Sequence, residues 1–262
     1  MNQTIRNSVY CLILVLSFSM AWAQPSDGDP GIKANLKPSS KDSDEQSGTG
    51  QAGRGLETVV KSNPKPVNSV DDVVDGIQSF YRDARDLKAE FEQTYVYTQM
   101  GRKQSKSGKV FFKKPSRMRW DYKKPVPQVF VSDGSVLWVY QPTDAQVFKQ
   151  DLNHSQLPVA LTFMSGRGEL RTEFNARLIE QPKQAESYTV QLVPKKSEVN
   201  YKSVMLTVRK SDFSVVESVV IDPVGNENRL VFKKVIQNTN IPDRAFEFIV
   251  PKGVRVIDGA AN

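Results

Sequence analysis

The chain has 262 residues, with 36 Lys and Arg against 29 Asp and Glu, for a formal net charge of +7. Hydrophobic residues make up 39% and charged residues 25%, the balance of a soluble globular protein. Its one cysteine, Cys11, excludes an intrachain disulfide and a multi-cysteine metal site, and its one histidine, His154, excludes a centre built on paired imidazoles.

The N-terminal segment reads as an export signal. Arg6 supplies a positive start, Val9 to Met20 is almost wholly apolar, and Ala21-Trp22-Ala23 places small residues at a signal-peptidase site. The apolar run is shorter than the ~20 residues that a membrane-spanning helix requires. Residues 1–23 are therefore expected to be a signal peptide cleaved after Ala23, leaving an exported chain without cysteine. Residues 24–67 are poor in apolar side chains and rich in Gly, Ser, Pro, Asp and Lys, so they are expected to form a flexible linker or arm. Ser62-Asn63-Pro64-Lys65 matches a Ser-x-x-Lys pattern, but it lies in this Pro-punctuated arm and is read as chance.

Residues 68–262 read as one domain, mostly β. Ser69 with Asp72 three positions on resembles a capping box. Val70, Val73, Val74, Ile77, Phe80 and Tyr81 then recur at spacings of three and four, which predicts a helix with one apolar face. After Asp86 the period changes to two, with Leu87, Ala89, Phe91, Tyr95 and Tyr97 alternating with polar residues. Strands are likewise predicted over 108–113, 117–122, 128–132, 136–140 and 145–151, with Asp133-Gly134 as a hairpin turn. Leu157-Pro158 opens a short stretch, Val159 to Met164, that suits a helical turn or two. Strands resume over 174–180, 188–193, 204–209, 215–221 and 229–237. The count is eleven strands, enough for one strongly curved antiparallel sheet or barrel-like shell. The two helices would lie over its mouth.

Catalytic and metal signatures are missing. His154 sits in a polar connection without a triad pattern, and there is no Walker loop, no dinucleotide-binding glycine motif and no His-Glu-x-x-His. The reading is a protein that is not an enzyme and has no cofactor or metal. Between Arg102 and Lys124 stand ten Lys or Arg and one acidic residue, Asp121. This run reads either as a solvated exterior or as a docking surface for acidic membranes or proteins; export argues against nucleic acid. Met118, Trp120 and Tyr122 share one strand face, and Val136, Trp138 and Tyr140 share another. So wide an apolar sheet face exceeds what two short helices can cover, which points to a binding surface.

Several of these segments resemble the periplasmic outer-membrane lipoprotein carrier (LolA) family. Lys114-Pro115-Ser116-Arg117-Met118-Arg119-Trp120 is similar to its Arg-Pro-x-x-Phe-Arg-Trp motif. Val131 to Tyr140 resembles its hairpin, Leu87 to Gln93 its first strand, and Phe246 to Val254 its closing segment. The resemblance implies an unclosed, curved antiparallel β-barrel of eleven strands with a helical lid over a hydrophobic cavity. It implies a periplasmic monomer that binds the acyl chains of lipoproteins. Its partners would be an inner-membrane lipoprotein-releasing ABC transporter and an outer-membrane acceptor lipoprotein. Each buried CH₂ is worth ~0.8 kcal/mol, so a multiply acylated chain leaves a bilayer only for a comparable apolar site.

On this reading Val73, Val74, Ile77, Leu87, Phe91, Met118, Trp120, Trp138, Leu161 and Met164 face the cavity or its lid, and Lys114 acts as the lid latch. Lys114 replaces the family's arginine, exchanging a planar fork of donors for a point charge. Met118 replaces a phenylalanine with a more adaptable apolar wall. Val159 and Ala160 stand where bulkier residues are common, and the arm before Ser69 has no counterpart in the pattern. Two other readings of the same shell are a periplasmic sensor or regulatory domain and a carrier of another lipid.

Overall fold

The computed structural model describes residues 67, 69–152, 169–180, 185–198 and 201–258. The expected signal peptide, nearly all of the expected arm, and the stretch 159–164 expected to be helical, with Leu161 and Met164, lie outside the described residues.

Helix α1 spans Val70–Asp83 and starts as its capping box requires. Ser69 Oγ accepts from the Asp72 N–H at 3.2 Å, while the Asp72 carboxylate accepts from the Ser69 N–H at 3.0 Å. Twelve strands follow: β1 (Asp86–Tyr97), β2 (Arg102–Lys113), β3 (Arg117–Lys124), β4 (Gln128–Ser132), β5 (Val136–Gln141), β6 (Gln146–Asp151), β7 (Phe174–Ile179), β8 (Ser187–Pro194), β9 (Ser203–Arg209), β10 (Val215–Ile221), β11 (Glu227–Gln237) and β12 (Arg255–Asp258). A second, one-turn helix, α2, spans Leu170–Glu173. All eleven expected strands are present, and β12 adds a short twelfth.

The strands form one sheet in the order β12-β6-β5-β4-β3-β2-β1-β11-β10-β9-β8-β7, whose two edges do not meet. Every pairing is antiparallel except β12 on β6, which is parallel. The β1–β11 pairing joins the two runs of consecutive hairpins, bringing Phe91 opposite Phe232 and Gln93 opposite Leu230. β2 begins six residues earlier than its alternation suggested, because it pairs with β1 from Tyr97↔Arg102 to Asp86↔Lys113. The charged residues of its first half carry no apolar period, yet the backbone ladder holds them. Gly108 sits at a bulge in the β2–β3 ladder. A Cβ there would lie 2.1 Å from the Asp121 carbonyl oxygen, so a side chain would force the strands apart.

Register assigns the two faces of the sheet. Val110, Trp120, Phe130 and Val139 stand in one row across β2–β5, on the inner face. Phe111, Arg119, Val131, Trp138 and Lys149 stand in the next row, on the outer face. The main apolar cluster runs along the inner face and includes Val73, Val74, Ile77 and Tyr81 of α1. Phe91, Met118 and Trp120 are almost wholly buried within it.

A C-terminal strap crosses the outer face. After β11 the chain turns at Asn238 and Asn240, both left-handed at φ 59° and 56°. It continues through a 3-10 turn, Asp243–Phe246, and ends in β12. Ile241 and Phe246 of this strap are buried, as are Val131 and Val147 on the outer face.

Candidate functional site

The inner face is aromatic at its centre. The Phe91 ring meets Trp120 and Tyr122 edge-on, with centroids 4.9 Å away in each case, and Phe112 meets Trp120 at 5.9 Å. In this state the apolar interior is filled by the protein's own side chains. Three of the polar groups on the same face form a hydrogen-bonded chain. The Tyr122 hydroxyl donates to Gln93 Oε1 at 3.1 Å, and Gln93 Nε2 donates to Asn228 Oδ1 at 2.9 Å. Burial raises the Tyr122 hydroxyl above the ordinary tyrosine pKa and keeps it a donor.

Helix α1 covers this face, and contacts along its length fasten it. Midway, Gly76 packs on the Phe213 ring so closely that a Cβ would lie 2.5 Å from it. Toward the N-terminal end, Arg171 of α2 donates to the Asp75 carboxylate at 2.6 Å and to the Asp71 carbonyl at 3.0 Å. At the C-terminal end, the Lys114 ammonium donates to the Arg82 carbonyl, in the last turn of α1. A cation is favoured there by the unsatisfied carbonyls and the helix dipole. Partial desolvation lowers the Lys114 pKa, opposed by the Asp83 charge.

Val73, Val74, Ile77, Leu87, Phe91, Met118 and Trp120 are thus brought together on the inner face or on the helix above it. Trp138 is not. Its partners Val131 and Lys149 place it on the outer face, where its ring stacks on Phe248 of the strap at 5.5 Å and 28°. Alternation shows which residues of a strand share a face; only register against β3 and β4 decides which face is the interior.

The basic run also resolves by contact. Lys113 and Arg117 pair with Asp243, and Arg119 donates to the Ala245 carbonyl at 3.2 Å, so three of its cations hold the strap. Sequence reasoning passed over Gln93, Asn228, Arg171 and Phe213. Gln93 carried a signal: it occupies an inner-phase position after Leu87, Ala89 and Phe91, where a polar side chain needs a partner.

The model of the family described as "Outer membrane lipoprotein carrier protein LolA" matches residues 82–249. The chain belongs to the LolA family. An outer-membrane lipoprotein carrier protein of Chromobacterium violaceum is 31% identical over 185 residues, covering 70% of this chain and 86% of that one. The protein of the same name from Dechloromonas aromatica is 30% identical over 186 residues, with coverage of 70% and 86%. Among solved structures, a LolA superfamily protein from Nitrosomonas europaea aligns with a TM-score of 0.39 at 12% identity, covering 70% of this chain and 99% of that one. The LolA match includes β1 to β11 and most of the strap, but begins near the end of α1.

Proposed function

We propose that this chain is a periplasmic carrier that binds the acyl chains of lipoproteins on the inner face and moves them from the inner to the outer membrane. It receives them from a lipoprotein-releasing ABC transporter and passes them to an outer-membrane acceptor. The supporting observation is how α1 is held: apolar side chains fill the interior, while the contacts at both helix ends are exposed. Arg171 and Asp75 are 46% and 62% exposed, and such a pair is worth under about 1 kcal/mol. Val73, Val74 and Ile77 are 0–2% exposed, and each contributes about 2 kcal/mol by burial.

The end contacts set the position of α1, and the apolar face supplies the closing force. An acyl chain offers the same kind of contact at ~0.8 kcal/mol per CH₂, so it replaces α1 on the inner face at little net cost. Release reverses the exchange: α1 returns and recovers its burial. Leu87, Phe91, Met118 and Trp120 form the floor in this scheme, and Lys114 is the latch.

The test is native mass spectrometry of the protein purified from its own periplasm, followed by lipid extraction. Co-purifying acylated lipoprotein, lost in Met118→Glu, is the expected result. A protein that is empty and also fails to release acylated lipoprotein from inner-membrane vesicles would overturn the proposal.

A further inference from the structure

Trp120 is 3% exposed, and its indole nitrogen is buried without a hydrogen-bond partner among the described residues. The neighbouring polar groups on the same face do not share this condition, since Tyr122, Gln93 and Asn228 satisfy one another in a chain. An unmet buried donor is destabilising, and folded proteins leave few of them. Packing alone does not call for the nitrogen: the contacts of Trp120 with Phe91, Phe112 and Tyr122 are ring-to-ring, and a phenylalanine would keep an aromatic side chain there without the donor.

We propose that the Trp120 indole N–H donates a hydrogen bond to an acyl carbonyl oxygen of the bound lipid. This rests on the acyl-chain reading above and adds the chemical group that the inner face recognises. The required partner is an acceptor on an otherwise apolar molecule, because Phe91, Phe112 and Met118 surround the site with hydrocarbon. A neutral ester or amide carbonyl, at the junction of acyl chain and headgroup, meets that description. An ionised carboxylate does not, since it would shed its water among those rings. A cation on this side of the sheet, Lys106, stands over the Tyr122 ring, 5.6 Å from its centroid, and Tyr122 stacks on Trp120 at 6.4 Å. A fatty-acid headgroup would therefore settle at Lys106, beyond Tyr122. The donor fixes the depth of the cargo: chains run past Trp120 across the floor, and the headgroup stays at the rim.

The experiment is displacement of a fluorescent acyl probe from the purified protein by methyl palmitate, N-methyl palmitamide, hexadecyl methyl ether and palmitate. At least one neutral carbonyl competitor is expected to bind about 3- to 10-fold more tightly than the ether, the range of one hydrogen bond. That ratio is expected to fall to about one in Trp120→Phe. The ester and amide arms distinguish an O-acyl from an N-acyl source of the carbonyl. Equal binding of the three neutral competitors, or a ratio that survives Trp120→Phe, overturns the inference while the acyl-chain reading stands. Tightest binding by palmitate overturns it as well, placing the headgroup at Lys106. Binding by none of them fails both.

A second measurement holds if Trp120→Phe misfolds. Residues 24–262 contain two tryptophans, so Trp138→Phe assigns the Trp120 indole resonance in the wild-type spectrum. That resonance is expected to move downfield with the ester or amide and to stay in place with the ether.

Discussion

Asp86, the first residue of β1, accepts the backbone N–H of Asn240 at 2.9 Å across 154 positions of sequence. Its other carboxylate oxygen takes the Thr239 N–H at 2.8 Å and the Thr239 hydroxyl at 3.1 Å. Asp86 is 3% exposed, so a buried carboxylate is satisfied entirely by the start of the strap. Asp86→Ala removes the charged acceptor of the part-buried Thr239 and Asn240 N–H groups, a loss of about 3 kcal/mol. The expected result is a lower urea midpoint with an unchanged slope. A change below about 0.5 kcal/mol would mean that the strap is held elsewhere.

Acid should loosen the same strap at its second anchor. The Lys113 hydrogen bond and the Arg117 charge hold the Asp243 carboxyl below its ordinary pKa. An acid whose pKa is lower folded than unfolded binds more protons when unfolded, so its contribution is complete above the unfolded pKa. That contribution disappears as pH falls through the folded value, below about pH 4. Trp138 reports the event, because its ring stacks on Phe248 of the strap. In a Trp120→Phe background, Trp138 emission is expected to shift on acidification, and Asp243→Asn is expected to show the shifted emission already at neutral pH.

Gly76→Ala separates helix propensity from packing. Alanine favours a helix over glycine by about 1 kcal/mol, which would stabilise α1 taken alone. Here the added Cβ would lie 2.5 Å from the Phe213 ring, which is itself held in a left-handed turn at φ 60° and stacked on Tyr188. Overpacking of this kind costs about 1–3 kcal/mol, so the variant is expected to be less stable overall. With α1 lifted, the inner face opens, and binding of an apolar dye should rise. A more stable variant with no gain in dye binding would show that α1 is free to shift at no cost.

Lys114→Met removes the ammonium from the Arg82 carbonyl, a helix-terminal contact worth about 0.5 kcal/mol. Amide exchange in the last turn of α1 is expected to accelerate, and an acyl probe should dissociate about twofold faster. Lys114→Arg restores a cation with more donors, so it should slow dissociation relative to Lys114→Met. Identical exchange in all three proteins would remove Lys114 from the latch.

Local features were legible in the sequence because local chemistry produces them. The Ser69–Asp72 box, the three-and-four spacing of α1 and the alternation of β3 are each set by neighbours within one turn or one strand. The first half of β2, rich in charge, and the short β12 were illegible, since they carry no long apolar period and are placed by pairing with β1 and β6. Much of the buried inner face was also readable: Leu87, Phe91, Met118 and Trp120 follow directly from a period of two.

Long-range pairing decided the rest. Trp138 has the same alternation as Trp120, and the two face opposite ways because adjacent strands set which side of each pleat is inside. Asp86, Arg171 and the strap cations look like surface charges until residues 96 to 154 positions away meet them. The sequence by itself determined α1, eleven of the twelve strands and the apolar character of one face. The tertiary structure determined which face is the interior, what covers it and which charges hold the cover, because each depends on pairing between segments that have no contact along the chain.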